Sequence, residues 1–230
     1  MLLDRQSQLT VRLLSADFAL DSVSMDELAQ GANRALVGEE ILQFRDAENL
    51  GDGLWRLTGL LRGRGGTEHL ALAGTPGGAA FVLLDGETTA LDAAQLGDAD
   101  TVAAIGLGDE EPVLDSISGS GTTLRPLVPV HPRAETAADG SLALGWTRRA
   151  RGAWSWAGTV DVPLVEQVES YEVGLGDPVA PLFAWTVSQP HLDIDAAQFA
   201  QLRADHSGQP LWVRQIGTHA RSLPLLLTTL

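Results

Sequence analysis

The chain has 230 residues, 44% apolar and 20% charged, enough to bury the core of one large domain or two ordinary ones. Thirty acids face fifteen arginines and no lysine; the resulting charge of −15 repels nucleic acid and anionic membrane surfaces. No cysteine occurs, which excludes disulfides, thiol chemistry and thiolate metal sites.

The charge is uneven, with a balance of −13 over residues 1–124 and −2 over residues 125–230. The opening "MLLDRQSQLT" reaches an acid and an arginine early and lacks the apolar core of a signal peptide. No stretch approaches the ~20 apolar residues that a membrane span needs. A soluble product with no secretory address of its own is expected.

In chain order, "QLTVRLL" alternates polar and apolar residues and predicts a strand. "SMDELAQGANRALVG" predicts a helix. Ser24 and Glu27 are spaced as a capping box, Leu28, Ala32, Ala35 and Leu36 share one face, and Gly38 is a stop, with Gly31 as a weak point. "EEILQFRDAE" and "LWRLTGLL" flank "NLGDG" and predict a β-hairpin. An arginine-glycine loop follows, then one helical turn at "EHLALA" and a break at "GTPGG". "AAFVLLDG" and "TVAAIGLG" predict strands, whereas "DEEPVLDSISGSG" is rich in turn residues and fixes no element. "TTLRPLVPVHP" is expected to be extended, because its prolines exclude helix and favour a sheet edge or linker.

A domain boundary is expected near Pro126 to Pro132, giving domains 1–125 and 126–230. Beyond it, "SLALGWTR", "ESYEVGLG", "LFAWTVS", "QPLWVRQIG" and "RSLPLLLTTL" continue the strand pattern with turn signals between them. "DIDAAQFAQLRAD" interrupts them as a short helix, with Asp195 as cap and Phe199 and Leu202 facing inward. The expected fold is mainly β: a β-rich N-terminal domain with a short helix, followed by a small antiparallel sandwich.

The chemical candidates are few. "RGRGGTE" has no Lys-Ser/Thr after its glycines and no βαβ context, so a tight turn is favoured over a phosphate cradle. Arg62 and Arg64 are expected to pair with acids of this domain or of a neighbouring subunit. With Glu68 beside them, they are the candidate subunit contacts. Histidines 69, 131, 191, 206 and 219 lack metal-ligand spacing, and "GSG" lacks a nucleophile-elbow context. Asp109–Glu111 reads as a solvated acidic loop, with cation binding as the lesser alternative. Trp146 belongs to the core by its alternation. Trp154 and Trp156, in "AWSWAG", lie in an exposed loop and are the candidate ligand or partner contacts, including sugar stacking. No catalytic residue, cofactor site or metal site is assigned.

The stretches "GANRALVGEEILQFRDAENLGDGLWRLTGLLRGRGGTE", "FVLLDG", "LRPLVPVHPRAE" and "DGSLALGWTRRARGAWSWAGTVDVPLVEQVESYEV" resemble the C-terminal part of a tail-tip family. This is the baseplate megatron of gene transfer agents and related long-tailed phages (siphophages). The resemblance runs from about Gln8 to the end, and "WVRQIG" before an apolar tail also fits. It implies a β-rich hub-type domain followed by a fibronectin type III-like sandwich. It further implies a virion structural role at the tail tip or baseplate, without enzymatic activity, and possible host attachment as a second task. Implied partners are hub, distal tail and fibre proteins and copies of the chain itself, three by analogy, with no nucleic acid and no membrane span. The product would be made in the bacterial host cytoplasm and reside in the virion. Full-size members also carry a TIM-barrel-like portion resembling glycoside hydrolases; it has no counterpart in these residues, so no hydrolytic role is carried over. An alternative is a carbohydrate-binding adhesin module on the tail tip that takes host surface glycans through Trp154 and Trp156.

Overall fold

The computed structural model describes residues 3–15, 17–85, 100–117, 121–151 and 163–230. Trp154 and Trp156 lie outside the described residues.

The N-terminal sheet is built around the predicted hairpin. β3 (Glu40–Gly51) and β4 (Leu54–Arg64) are antiparallel, joined by Asp52 and Gly53, both at positive φ as a two-residue primed turn requires. β1 (Leu9–Arg12) adds beside β4, and β2 (Arg34–Val37) and β5 (Phe81–Leu83) add beside β3. All five strands pair antiparallel in the order β1-β4-β3-β2-β5. Val11, Ala35, Val37, Leu42, Phe44, Trp55, Leu57 and Leu60 form the core of this half.

α1 (Met25–Ala29) begins as expected. Ser24 Oγ accepts from the Glu27 amide at 3.2 Å, and the Ser24 amide donates to the Glu27 carboxylate at 2.8 Å. It does not run on to Gly38, however. Gly31 and Asn33 turn left-handed, and Arg34–Val37 becomes β2. A residue distant in sequence supports this early stop. The buried Gln43 amide donates to the carbonyls of Leu28 and Ala32, at 2.9 and 2.7 Å, answering backbone acceptors that a longer helix would have used.

α2 (Glu68–Ala73) is the expected short helix after the arginine-glycine loop. A separate two-stranded hairpin follows, β6 (Thr101–Ala104) with β7 (Val113–Ser116). The second of these lies within the turn-rich "DEEPVLDSISGSG", where no strand was expected: Val113–Ser116 is strand. Thr122–Leu124 forms one 3-10 turn where only extended chain was expected.

In the C-terminal half, the described residues form a sandwich of seven antiparallel strands. β8 (Val130–Thr136), β9 (Leu142–Thr147) and β12 (His191–Ile194) form one sheet in the order β12-β9-β8. β10 (Tyr171–Gly176), β11 (Pro181–Val187), β13 (Pro210–Gln215) and β14 (Leu225–Thr229) form the other in the order β11-β10-β13-β14. Three strands facing four in this connectivity is the fibronectin type III-like arrangement. β8 is an edge strand, and it slips register between Val130 and Arg133, where Pro132 has no amide to donate. Leu142, Leu144, Trp146, Tyr171, Val173, Leu175, Leu211 and Val213 fill the interior. Trp146 meets Tyr171 edge to face at 5.2 Å.

α3 (Ala196–Asp205) joins β12 to β13. Asp195 caps it through the Gln198 amide, and Phe199 and Leu202 are its buried residues. On the outer side of the four-stranded sheet, the Trp212 indole lies against Gly174, its partner in register, and donates to the Gly176 carbonyl at 2.8 Å. A Cβ on Gly174 would fall 2.1 Å from that ring. Glycine is what lets the indole lie flat.

Candidate functional site

The arginine-glycine loop closes the end of the β3–β4 hairpin, and its side chains divide the work. Arg62 forks onto Glu40, the first residue of β3, with Nε to Oε1 at 2.7 Å and Nη2 to Oε2 at 2.6 Å. The Gly63 amide donates to the same carboxylate at 2.9 Å, and Arg62 Nη2 also reaches the Ala71 carbonyl at 3.3 Å. Glu40 is 1% exposed, so the pair is a charge-assisted clamp shielded from water. The hydrogen bond to Glu40 raises the Arg62 pKa above its ordinary value.

The glycines here are steric requirements. Gly63 sits at φ +62°, and a Cβ would come 2.6 Å from the Glu68 Cα. Gly66 is at φ +90°, and a Cβ there would come 3.2 Å from Leu127 Cδ2. Thr67, 1% exposed, locks the corner by accepting from the Ile41 amide at 3.1 Å and donating to the Arg64 carbonyl at 2.7 Å.

Glu68 turns towards the sandwich and takes a hydrogen bond from Arg149 at 2.5 Å. Arg64 is buried beside them. Burial, together with repulsion from Arg149 and Arg34, holds its pKa below the ordinary guanidinium value against the pull of Glu68. Arg62, Arg64, Glu68 and Arg149 line one open cleft of about 1160 Å³, together with Asp4 and Arg5 from the N-terminal strap. His131, at φ 53°, lies at the rim.

The other quoted stretch, "WTRRARGAWSWAGTVDVPLVEQVESYEV", is also organised by ion pairs. Arg148 approaches Glu169 at 3.9 Å, while Arg151 donates to the buried Glu166 at 2.9 Å. Burial pushes the Glu166 carboxyl up, but Arg151 and the Thr218 amide, at 2.7 Å, outweigh it and hold the pKa below the carboxylate range. Residues 148–151 and 166–169 are thus tied to one another by ion pairs.

Arg62, Arg64 and Glu68 thus meet in one place with partners in their own chain. Sequence reading missed Glu40 and Arg149. Glu40 gave no signal because β3 opens with five consecutive buried residues and a register slip between Ile41 and Gln43, so inward and outward positions do not alternate. Arg149 lies 81 residues from Glu68. Among the described residues, no three His, Asp or Glu side chains gather where they could hold a metal, and no helix is long and apolar enough to cross a membrane.

Residues 1–82 match a protein-family model described as "Rcc01698-like, C-terminal". No curated protein matches the chain. Among solved structures, the chain is similar to rat CD45 extracellular domains d3–d4, at 9% identity over 66% of this chain and 75% of that one, with a TM-score of 0.31. It is also similar to a myokine, at 13% identity over 45% of this chain and 97% of that one (TM-score 0.24). A third is titin kinase with its flanking domains, at 13% identity over 43% of this chain (TM-score 0.28), of which the chain spans only 15%.

Proposed function

We propose that this protein is a structural component of a tail tip or baseplate in a phage or phage-like particle such as a gene transfer agent. It acts in tail assembly by shape, catalyses nothing, and resides in the virion after synthesis in the bacterial cytoplasm. Its partners are hub, distal tail and fibre proteins and further copies of itself, with three as the expected number. Host attachment through the sandwich is a second task.

The observation that carries this reading is the run of residues from "LQFRDAE" through "LLRGRGGTE" to "VPLVEQVESYEV", which resembles the tail-tip family across both halves of the chain. Its fit to the geometry supports the reading. The residues that give those stretches their character make turns and ion pairs, Arg62 with Glu40, Glu68 with Arg149 and Arg151 with Glu166. Such residues fix the angles at which a brick presents its faces.

Deleting the gene from a particle-producing strain and examining the particles by electron microscopy tests this. Tails that are absent or lack tips, restored by the gene in trans, are expected. Normal, infectious particles would contradict it.

A further inference from the structure

The outer face of the three-stranded sheet carries its ionisable side chains in two unlike rows. Across β12, β9 and β8 the register sets Asp193 beside Ala143, and Ala143 beside Glu135. One pleat further along, it sets His191 beside Gly145, and Gly145 beside Arg133. One row is acidic and the other basic, with a small residue of β9 in the middle of each. Asp193, Glu135, His191 and Arg133 are all exposed, and among the described residues none of these four side chains has an ion pair or hydrogen bond.

Both rows end at β8, which is the edge of its sheet. The backbone there is open as well. The Ala137 amide donates to the Ser141 carbonyl at 2.9 Å, and an antiparallel ladder alternates every two residues. The amides of Glu135 and Arg133 therefore face β9, while those of Thr136 and Ala134 face outward. The side chains of Ala134 and Thr136 turn inward and line a small pocket with Leu142 and Phe199, which leaves Arg133 and Glu135 on the outer face. An open edge of this kind is a template for another strand. Pro132, with no amide to give, stops such pairing from spreading towards Val130.

We infer that β8 pairs antiparallel with β8 of a second copy, about a two-fold axis at Ala134, and joins the two three-stranded sheets into one. Arg133 of each copy then lies opposite Glu135 of the other, and the Ala134 amides and carbonyls bond across the axis. Each acidic row runs on into the basic row of the other copy. Unlike charges thus meet at the seam, in a chain whose net charge of −15 otherwise drives copies apart. An isologous contact closes at two copies, so it comes in addition to any three-fold arrangement at a tail tip. It stands or falls whether or not the protein belongs to a tail. The contact is small, below about 1,200 Å², and association is expected only at high protein concentration.

Sedimentation velocity of the full chain over a range of concentrations tests it. A monomer–dimer equilibrium is expected, weaker in about 1 M salt, where the Debye length is roughly 3 Å. Arg133→Glu and Glu135→Arg each set like charges opposite one another and should dimerise about tenfold or more weakly. Mixed together, these two variants place unlike charges at every position of the seam and should form a heterodimer. Ala134→Pro, which removes an outward amide that the lone chain does not use, should abolish dimerisation. Circular dichroism checks that each variant is folded. A wild-type chain that stays monomeric at its highest soluble concentration would overturn the inference. So would dimerisation unchanged in any of the folded variants, or a mixture of the two charge variants that stays monomeric.

Discussion

The guanidinium of Arg62 and the carboxylate of Glu40 form two parallel hydrogen bonds at 2.7 and 2.6 Å, across 22 residues of chain, at the open end of the β3–β4 hairpin, away from its Asp52-Gly53 turn. This pair turns a glycine-rich loop into a fixed corner. Removing one partner strands the other: Glu40→Ala leaves Arg62 and the Gly63 amide unanswered, at a cost of about 3–5 kcal/mol. Replacing both together, Glu40→Leu with Arg62→Met, should cost much less. Urea unfolding of the three variants measures the difference, and equal losses in the single and double variants would refute the clamp.

Gly63 and Gly51 separate strain from collision. Both have positive φ, but a Cβ on Gly51 meets nothing within 4 Å, whereas one on Gly63 meets the backbone of Glu68. Gly51→Ala should cost about 1–2 kcal/mol from the left-handed conformation alone. Gly63→Ala should cost clearly more, read as a larger fall in urea midpoint.

Much of this architecture is legible in the sequence, and the gaps have physical causes. The hairpin could be read because Asp52-Gly53 is a strong local turn signal. The sandwich could be read because strands such as β9 alternate buried and exposed residues. The early end of α1 was illegible, since Gln43, on strand β3, supplies the donor to the carbonyls of Leu28 and Ala32. β7 was illegible because all four of its residues are exposed, which leaves no alternation to detect. The cleft could be read only by half: Arg62, Arg64 and Glu68 are neighbours in sequence, while Arg149 arrives from the other half of the chain.

Glu166 gives a pH signature. Its folded pKa lies below the ordinary glutamate value of 4.5, so its contribution to stability is fully present above that value and is lost as pH falls through the lower, folded one. Melting temperatures of wild type and Glu166→Gln should therefore differ at neutral pH and converge as the solution is acidified below about 4.5. A gap that stays constant down to acid pH would contradict the assignment.

Arg149 and Glu68 remain 28% and 40% exposed, so water screens their attraction. Glu68→Gln should change the unfolding free energy by no more than about 1 kcal/mol, with a smaller effect in high salt. A loss of several kcal/mol would mean that this bridge holds the two halves together by itself.

The proposed role makes the protein a fixed part of a particle, and its position there is the most direct test. Gold-labelled antibody against this chain, applied to purified particles and viewed by electron microscopy, should mark the distal end of the tail and nowhere else. Particles that carry no label, or carry it on the capsid, would contradict the account.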